Sequence, residues 1–109
     1  MIHRILQAAG FVKDTTYRHA RFTGTRPGDY AVYTDDVSTD GPDGLNLIYT
    51  HDYTVEVYEA TPDDALEAAL EAALNAEGLR WTKQDRYWLQ AEQRYQVIYE
   101  FTHIEKRRA

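Results

Sequence analysis

The stretch that most limits the fold is RYQVIYEFTH, in which Tyr95, Val97, Tyr99, Phe101 and His103 take every second position, with Arg94, Gln96, Glu100 and Thr102 between most of them. A period of two sends alternate side chains to opposite faces of an extended strand, so the segment predicts a strand with one tyrosine-rich face and one mixed face. LIYTHDYTVEVYEA repeats the pattern: Tyr49, His51, Tyr53, Val55 and Val57 point one way, and Thr50, Asp52, Thr54 and Glu56 the other. Two long half-buried strands need a cover. Burying each large side chain is worth about 1.5–3 kcal/mol, so core building alone accounts for the aromatic alternation.

Two segments can supply that cover. TPDDALEAALEAALNAEG carries the marks of a helix: Thr61 as N-cap, Pro62 at the first helical position, Asp63 and Asp64 near the positive end of the dipole, and Gly78 as the stop. Leu66, Leu70 and Leu74, with Ala65, Ala69 and Ala73, form its inner stripe and leave Glu67 and Glu71 towards water. MIHRILQAAG gives a shorter amphipathic helix ending at Gly10. Residues 11–29 show little periodicity and read as a long loop, closing on the turn residues Gly24, Pro27 and Gly28. YAVYTDD reads as a strand, DVSTDGPDGLN as an acidic turn, and LRWTKQDRYWLQ as a strand or hairpin arm. The expectation is one α+β domain over residues 1–109: a mostly antiparallel sheet of about four strands, two helices on one face, in the order α-β-β-α-β-β.

Composition removes several classes of function. The chain has no cysteine, which excludes disulfides and thiolate chemistry. No apolar run approaches the roughly 20 residues of a membrane helix, and Met1–Gly10 lacks the apolar core of a signal peptide. Charge is segregated: residues 1–30 sum to +3, residues 31–77 to −12 and residues 78–109 to +3, for a net −6. A chain acidic overall is a poor bulk binder of nucleic acid, whereas basic ends and an acidic middle suit contacts within a subunit or between copies.

Catalytic patterns are missing. Ser38 is the one serine and has no nucleophile elbow around it. His3, His19, His51 and His103 form no metal-binding spacing; His51 and His103 continue apolar strand faces and can meet across a sheet, where backbone or water partners are the expected reading over zinc. Asp36, Ser38, Asp40 and Gly41 imitate half a calcium loop, but Leu47 stands where its bidentate glutamate belongs. Gly24 and Gly28 do not make a phosphate loop. The reading is therefore a non-enzyme with no cofactor and no metal. YRHARFTGTR interleaves Arg18, Arg21 and Arg26 with Tyr17, His19 and Phe22. Such a mixture serves either a small nucleic-acid-binding module using residues 17–26 or a protein interface, and the acidic middle favours self-association. A ligand pocket on the tyrosine face, lined by Tyr53 and Tyr99, is a further alternative.

Taken together, YAVYTDDVSTDGPDGLNLIYTHDYTVEVYE and LRWTKQDRYWLQAEQRYQVIYEFTHIEKRR resemble the tail terminator proteins of long-tailed bacteriophages and prophages, also described as tail completion or head-tail joining proteins. The likeness covers roughly residues 27–108. It implies a helix-and-sheet subunit, a homo-oligomeric ring of hexamer type, and a position in the virion at the head-tail interface after assembly in the bacterial host cytoplasm. The implied partners are further copies of the chain, the tail tube protein and the head-tail connector, with genomic DNA passing through the ring and no membrane involved. A neighbouring head-tail connector protein is the close alternative. On this reading Arg18, Arg21, Phe22 and Arg26, with Lys106, Arg107 and Arg108 at the basic end, meet Asp63, Asp64 and Glu67 of a neighbour, helped by apolar contacts from Phe11 and Val12. Asp52, Glu56 and Glu100, opposite the tyrosine face, would line the lumen.

Overall fold

The computed structural model describes residues 1–20, 28–41 and 47–106. In chain order the elements are α1 (Ile2–Ala8), β1 (Tyr17–His19), β2 (Tyr30–Asp40), β3 (Ile48–Glu59), α2 (Asp64–Ala76), β4 (Trp81–Lys83), β5 (Tyr87–Leu89) and β6 (Arg94–Lys106). The two alternating segments are β3 and β6, and they pair antiparallel along their whole length, from Ile48 opposite Lys106 to Glu59 opposite Tyr95. β2 flanks β3 antiparallel, β1 adds to β2 in parallel, and β4 and β5 both lie on the outer side of β6.

The sheet thus corrects the expected four strands in the order α-β-β-α-β-β: it is six-stranded and mixed, in the order α-β-β-β-α-β-β-β. Two short-range effects account for the difference. Residues 11–29 are not loop throughout, because Tyr17–His19 pairs with Ala31–Tyr33 as β1, a strand of three residues that is too short to show a period. LRWTKQDRYWLQ is a broken edge strand: between the pairs Lys83–Tyr99 and Tyr87–Gln96, three residues (Gln84, Asp85, Arg86) face two (Val97, Ile98). This is a β-bulge, and Gln84 N–H still reaches the Ile98 carbonyl at 2.9 Å. The acidic turn is also shorter than expected, since β2 runs on through Val37–Asp40 against Ile48–His51; residues 42–46 lie outside the described residues.

Cross-strand rows on one face build the core: Ala31–Val57–Val97, Tyr33–Val55–Tyr99, then Tyr53–Phe101. Leu70, Ala73 and Leu74 of α2 and Ile2, Ile5 and Leu6 of α1 pack on them, together with the fully buried Tyr17. Tyr17 Oη joins the layers, meeting His3 Nδ1 at 2.8 Å and accepting from Gln7 Nε2 at 3.2 Å. Arg4 of α1 donates to Glu77 beyond α2 at 2.8 Å. Tyr53 and Tyr99 are 6% and 0% exposed and packed in the core, so their rings are not the walls of a shared open pocket as the ligand-binding alternative expected.

Helix α2 starts two residues later than predicted. Asp63, not Thr61, is the N-cap, its carboxylate accepting from Leu66 N–H at 3.0 Å, and Pro62 precedes the helix. Its end is as expected: Gly78 takes φ +71°, and the bonds Gly78 N–H to Asn75 and Leu79 N–H to Leu74 form a Schellman motif. Glu67, expected towards water, is 4% exposed and Ala65 is the exposed one. Its spacing of three to Leu70 and seven to Leu74 puts it on the buried stripe.

The helices cover one end of the sheet. Burial along β2 falls from Tyr30–Tyr33 to exposed residues over Asp36–Asp40, and β6 behaves likewise beyond Phe101. The radius of gyration, 15.3 Å with extents of 50 × 28 × 23 Å, exceeds the roughly 13 Å of a compact domain of this length. A three-stranded arm formed by the distal parts of β2, β3 and β6 projects past the core. Among the described residues no helix is long and apolar enough to cross a membrane.

Candidate functional site

The face of the sheet away from the helices is polar. Asp36, Asp52 and Thr102 form one cross-strand row, Thr34, Thr54, Glu100 and Thr82 the next, and Arg18, Val32, Glu56 and Ile98 a third. The period of two, unbroken in all three central strands, is what aligns these acids. Asp36 and Asp52 oppose each other directly, an arrangement that costs stability; Thr102 Oγ1 offsets part of it by donating to Asp52 at 2.6 Å. Gln84 Nε2 donates to Glu100 at 2.9 Å and Tyr58 Oη to Glu56 at 3.1 Å. A shallow hollow of about 390 Å³ runs beside Asp52, Tyr53, Thr54, Arg80, Thr82, Glu100, Phe101 and Thr102. At the core end of this face Tyr30 stacks on Tyr58 with centroids 4.8 Å apart. Burial pushes the Tyr58 hydroxyl up to about 12, with Glu56 adding to the shift.

Asp52, Glu56 and Glu100, the three residues expected to line a lumen, therefore share one face. The expected contact residues are more scattered. Arg18 is exposed, 3.8 Å from Asp14, and Lys106 is exposed at the end of the arm. Arg21, Phe22, Arg26, Arg107 and Arg108 lie outside the described residues. Asp64 is exposed and Asp63 caps α2, whereas Glu67 is buried and held by its own chain. Phe11, expected on a partner surface, is core at 5% exposure, while Val12 stays exposed.

A second cluster was not foreseen. Glu59, at the end of β3, is 0% exposed, and neither of its oxygens has a hydrogen-bond partner among the described residues. Arg86 Nε stands 3.4 Å away. Beside Glu59 lies Glu67, which accepts from Arg86 Nη2 at 2.6 Å and pairs with Lys83 Nζ at 2.8 Å. Lys83 also donates to Glu71, the acceptor of the buried Tyr99 hydroxyl at 2.7 Å. Burial raises the Glu59 carboxyl to about 8, and the adjacent Glu67 carboxylate adds to the rise. Burial works against the Glu67 carboxylate too, but hydrogen bonds from Lys83 and Arg86 outweigh it and hold that group below the usual range. Burial and the neighbouring carboxylates raise the Tyr99 hydroxyl. The alternation itself marks Glu59, which shares parity with Val55 and Val57 and so must face inward. The bulge that aims Arg86 at it has no sequence signal of comparable strength.

His51 and His103 do meet across the sheet, their rings 6.1 Å apart and stacked. Both nitrogens of His51 have carboxylate neighbours, Asp35 at 2.9 Å and Glu105 at 3.3 Å, in place of the backbone or water partners expected. Among the described residues no group of three or more His, Asp or Glu is arranged to hold a metal ion. No protein-family model matches the chain, and no curated protein matches it in sequence.

Proposed function

We propose that the chain is a non-enzymatic structural subunit that closes into a ring with copies of itself, the polar face of its sheet turned to the channel. Within that class the reading that fits is a tail terminator of long-tailed phages and prophages, seated in the virion where the tail tube meets the head connector; this part rests on the resemblance over residues 27–108. One observation carries the proposal. Asp36, Asp52, Glu56 and Glu100 stand on a single sheet face with threonines between them, and the three central strands place no Lys or Arg in those rows, the basic residues Arg18 and Arg80 lying at the margins. A channel wall of that kind repels the phosphate backbone and lets DNA pass without sticking. The projecting arm supports the same reading, because a heterologous contact between an extension on one copy and the body of the next closes into a ring when the rotation permits.

The test reverses the charge of the wall. With Asp52→Lys and Glu56→Lys, rings should still form by sedimentation velocity and electron microscopy, while assembled particles release DNA more slowly and with a stronger dependence on salt. Unchanged DNA delivery removes the channel assignment. A wild-type chain that stays monomeric at every concentration and in the presence of tail tubes removes the ring.

A further inference from the structure

The bulged segment Gln84–Arg86 lies over the first turns of α2, and its contacts there are almost wholly ionic. Arg86 spans Asp64 at 3.0 Å, Glu67 at 2.6 Å and Glu59 at 3.4 Å. Lys83 spans Glu67 and Glu71, both at 2.8 Å. A depression of about 370 Å³ runs along the seam, lined by Asp64, Glu67, Lys83, Gln84, Asp85 and Arg86. Glu59 sits behind this lining, fully covered.

Two carboxyl groups side by side in a covered site resist ionising together. Two observations place a proton there. Neither Glu59 oxygen has a donor in hydrogen-bond geometry, and the nearby Asp63 N–H and Arg86 guanidinium offset only part of the effect of burial. Glu67, by contrast, is fully engaged by two cations. A proton on Glu59 turns it from an acceptor lacking a donor into a donor towards Glu67, and the mismatch disappears. From the geometry we infer that the seam between Gln84–Arg86 and α2 is a proton-operated clasp, closed while the Glu59–Glu67 pair holds one proton and opened to water when that proton leaves.

The titratable and charged groups around Glu59 come from every neighbouring element. α2 and its cap give Asp63, Asp64, Glu67 and Glu71, the bulged edge gives Lys83 and Arg86, and β6 gives Tyr99 with Tyr95 directly across the sheet. Asp29 bonds the Ala60 N–H next to Glu59 and lies close to Asp63, with burial raising its own carboxyl. Carboxylates outnumber the two cations, so a second full charge on Glu59 adds repulsion that Arg86 alone does not cancel. The direction follows from linkage. Glu59 titrates near 8 in the closed form against 4.5 when solvated, so the closed form binds the proton more tightly. Its stabilisation of the seam is complete below about pH 4.5, is lost progressively as pH rises, and is gone above about pH 8.

Native-state hydrogen exchange on the full chain reads this directly, since the Gln84 amide is bonded to Ile98 across the bulge. After correction for intrinsic exchange, its opening constant should rise about tenfold per pH unit from pH 5 to 8 and then level off. In Glu59→Gln, which keeps the shape and a neutral donor, the same constant should stay flat. A wild-type constant independent of pH, or a Glu59→Gln variant that keeps the slope, overturns the clasp. Should Glu59→Gln not fold, carbon-detected NMR of glutamate side chains in the wild type decides: one carboxyl titrating near pH 8 is required, and all titrating near 4.5 ends the proposal.

Discussion

Tyr99 offers the sharpest check on the claim that the tyrosine face is interior. Its ring is fully buried beneath α2, and its hydroxyl donates to Glu71 at 2.7 Å. Tyr99→Phe removes only that bond. A hydrogen bond to a charged acceptor contributes about 1.5–3 kcal/mol, but Glu71 keeps Lys83 at 2.8 Å, so a loss of about 1–2 kcal/mol is expected. Tyr99→Ala deletes the ring from a site where neither strand nor helix can close the gap, and about 3–5 kcal/mol is expected. The control is Tyr49→Ala, on the same face but half-buried out on the arm, where about 1 kcal/mol or less is expected. Urea unfolding followed by circular dichroism separates the three, because an m-value of about 1.5 kcal/mol per M turns 4 kcal/mol into a midpoint shift of about 2–3 M. Equal losses for Tyr99→Ala and Tyr49→Ala, or a loss below about 1 kcal/mol for Tyr99→Ala, would show that the face is not graded from core to arm.

Arg86→Ala leaves Glu67 with one cation and Glu59 with none in reach; since Arg86 is itself partly exposed, a cost of about 2–4 kcal/mol is expected by denaturant titration, and Glu67→Gln in the same chain should recover part of it. Gly78→Ala tests the helix stop. A Cβ there meets nothing within 4 Å, so the cost of about 1 kcal/mol comes from φ +71° alone, and calorimetry should show Tm lower by several degrees.

Long periodic segments were legible in the sequence and short ones were not. β3 and β6 declared both their existence and their faces, because twelve and thirteen residues of alternation leave little freedom of register. From that parity alone Asp52, Glu56 and Glu100 fell on one side. Three-residue strands such as β1 carry no period, and Tyr17 is buried by the parallel pairing of its backbone with β2 rather than by any pattern around it. Thr61-Pro62 imitated a helix start as well as Asp63 does; the cap is decided by where the chain turns off β3, which is a tertiary fact. The ionic cluster was half legible. Glu59 and Glu67 each sit at apolar-stripe positions, a conflict between side chain and environment that marks a site, but the partner that makes the conflict tolerable, Arg86, is brought in by a bulge.

That bulge makes the outer edge of the sheet a matter of counting. Tyr87 and Trp88 follow the one surplus residue, and Trp88 reaches Tyr95, with ring centroids 4.9 Å apart. A single-residue deletion anywhere in Gln84–Arg86 leaves two residues opposite Val97 and Ile98, so the bulge is lost while Tyr87 and Trp88 keep Gln96 and Tyr95 as partners. It would also straighten an interrupted border into a continuous one, the form of strand most prone to recruit strangers.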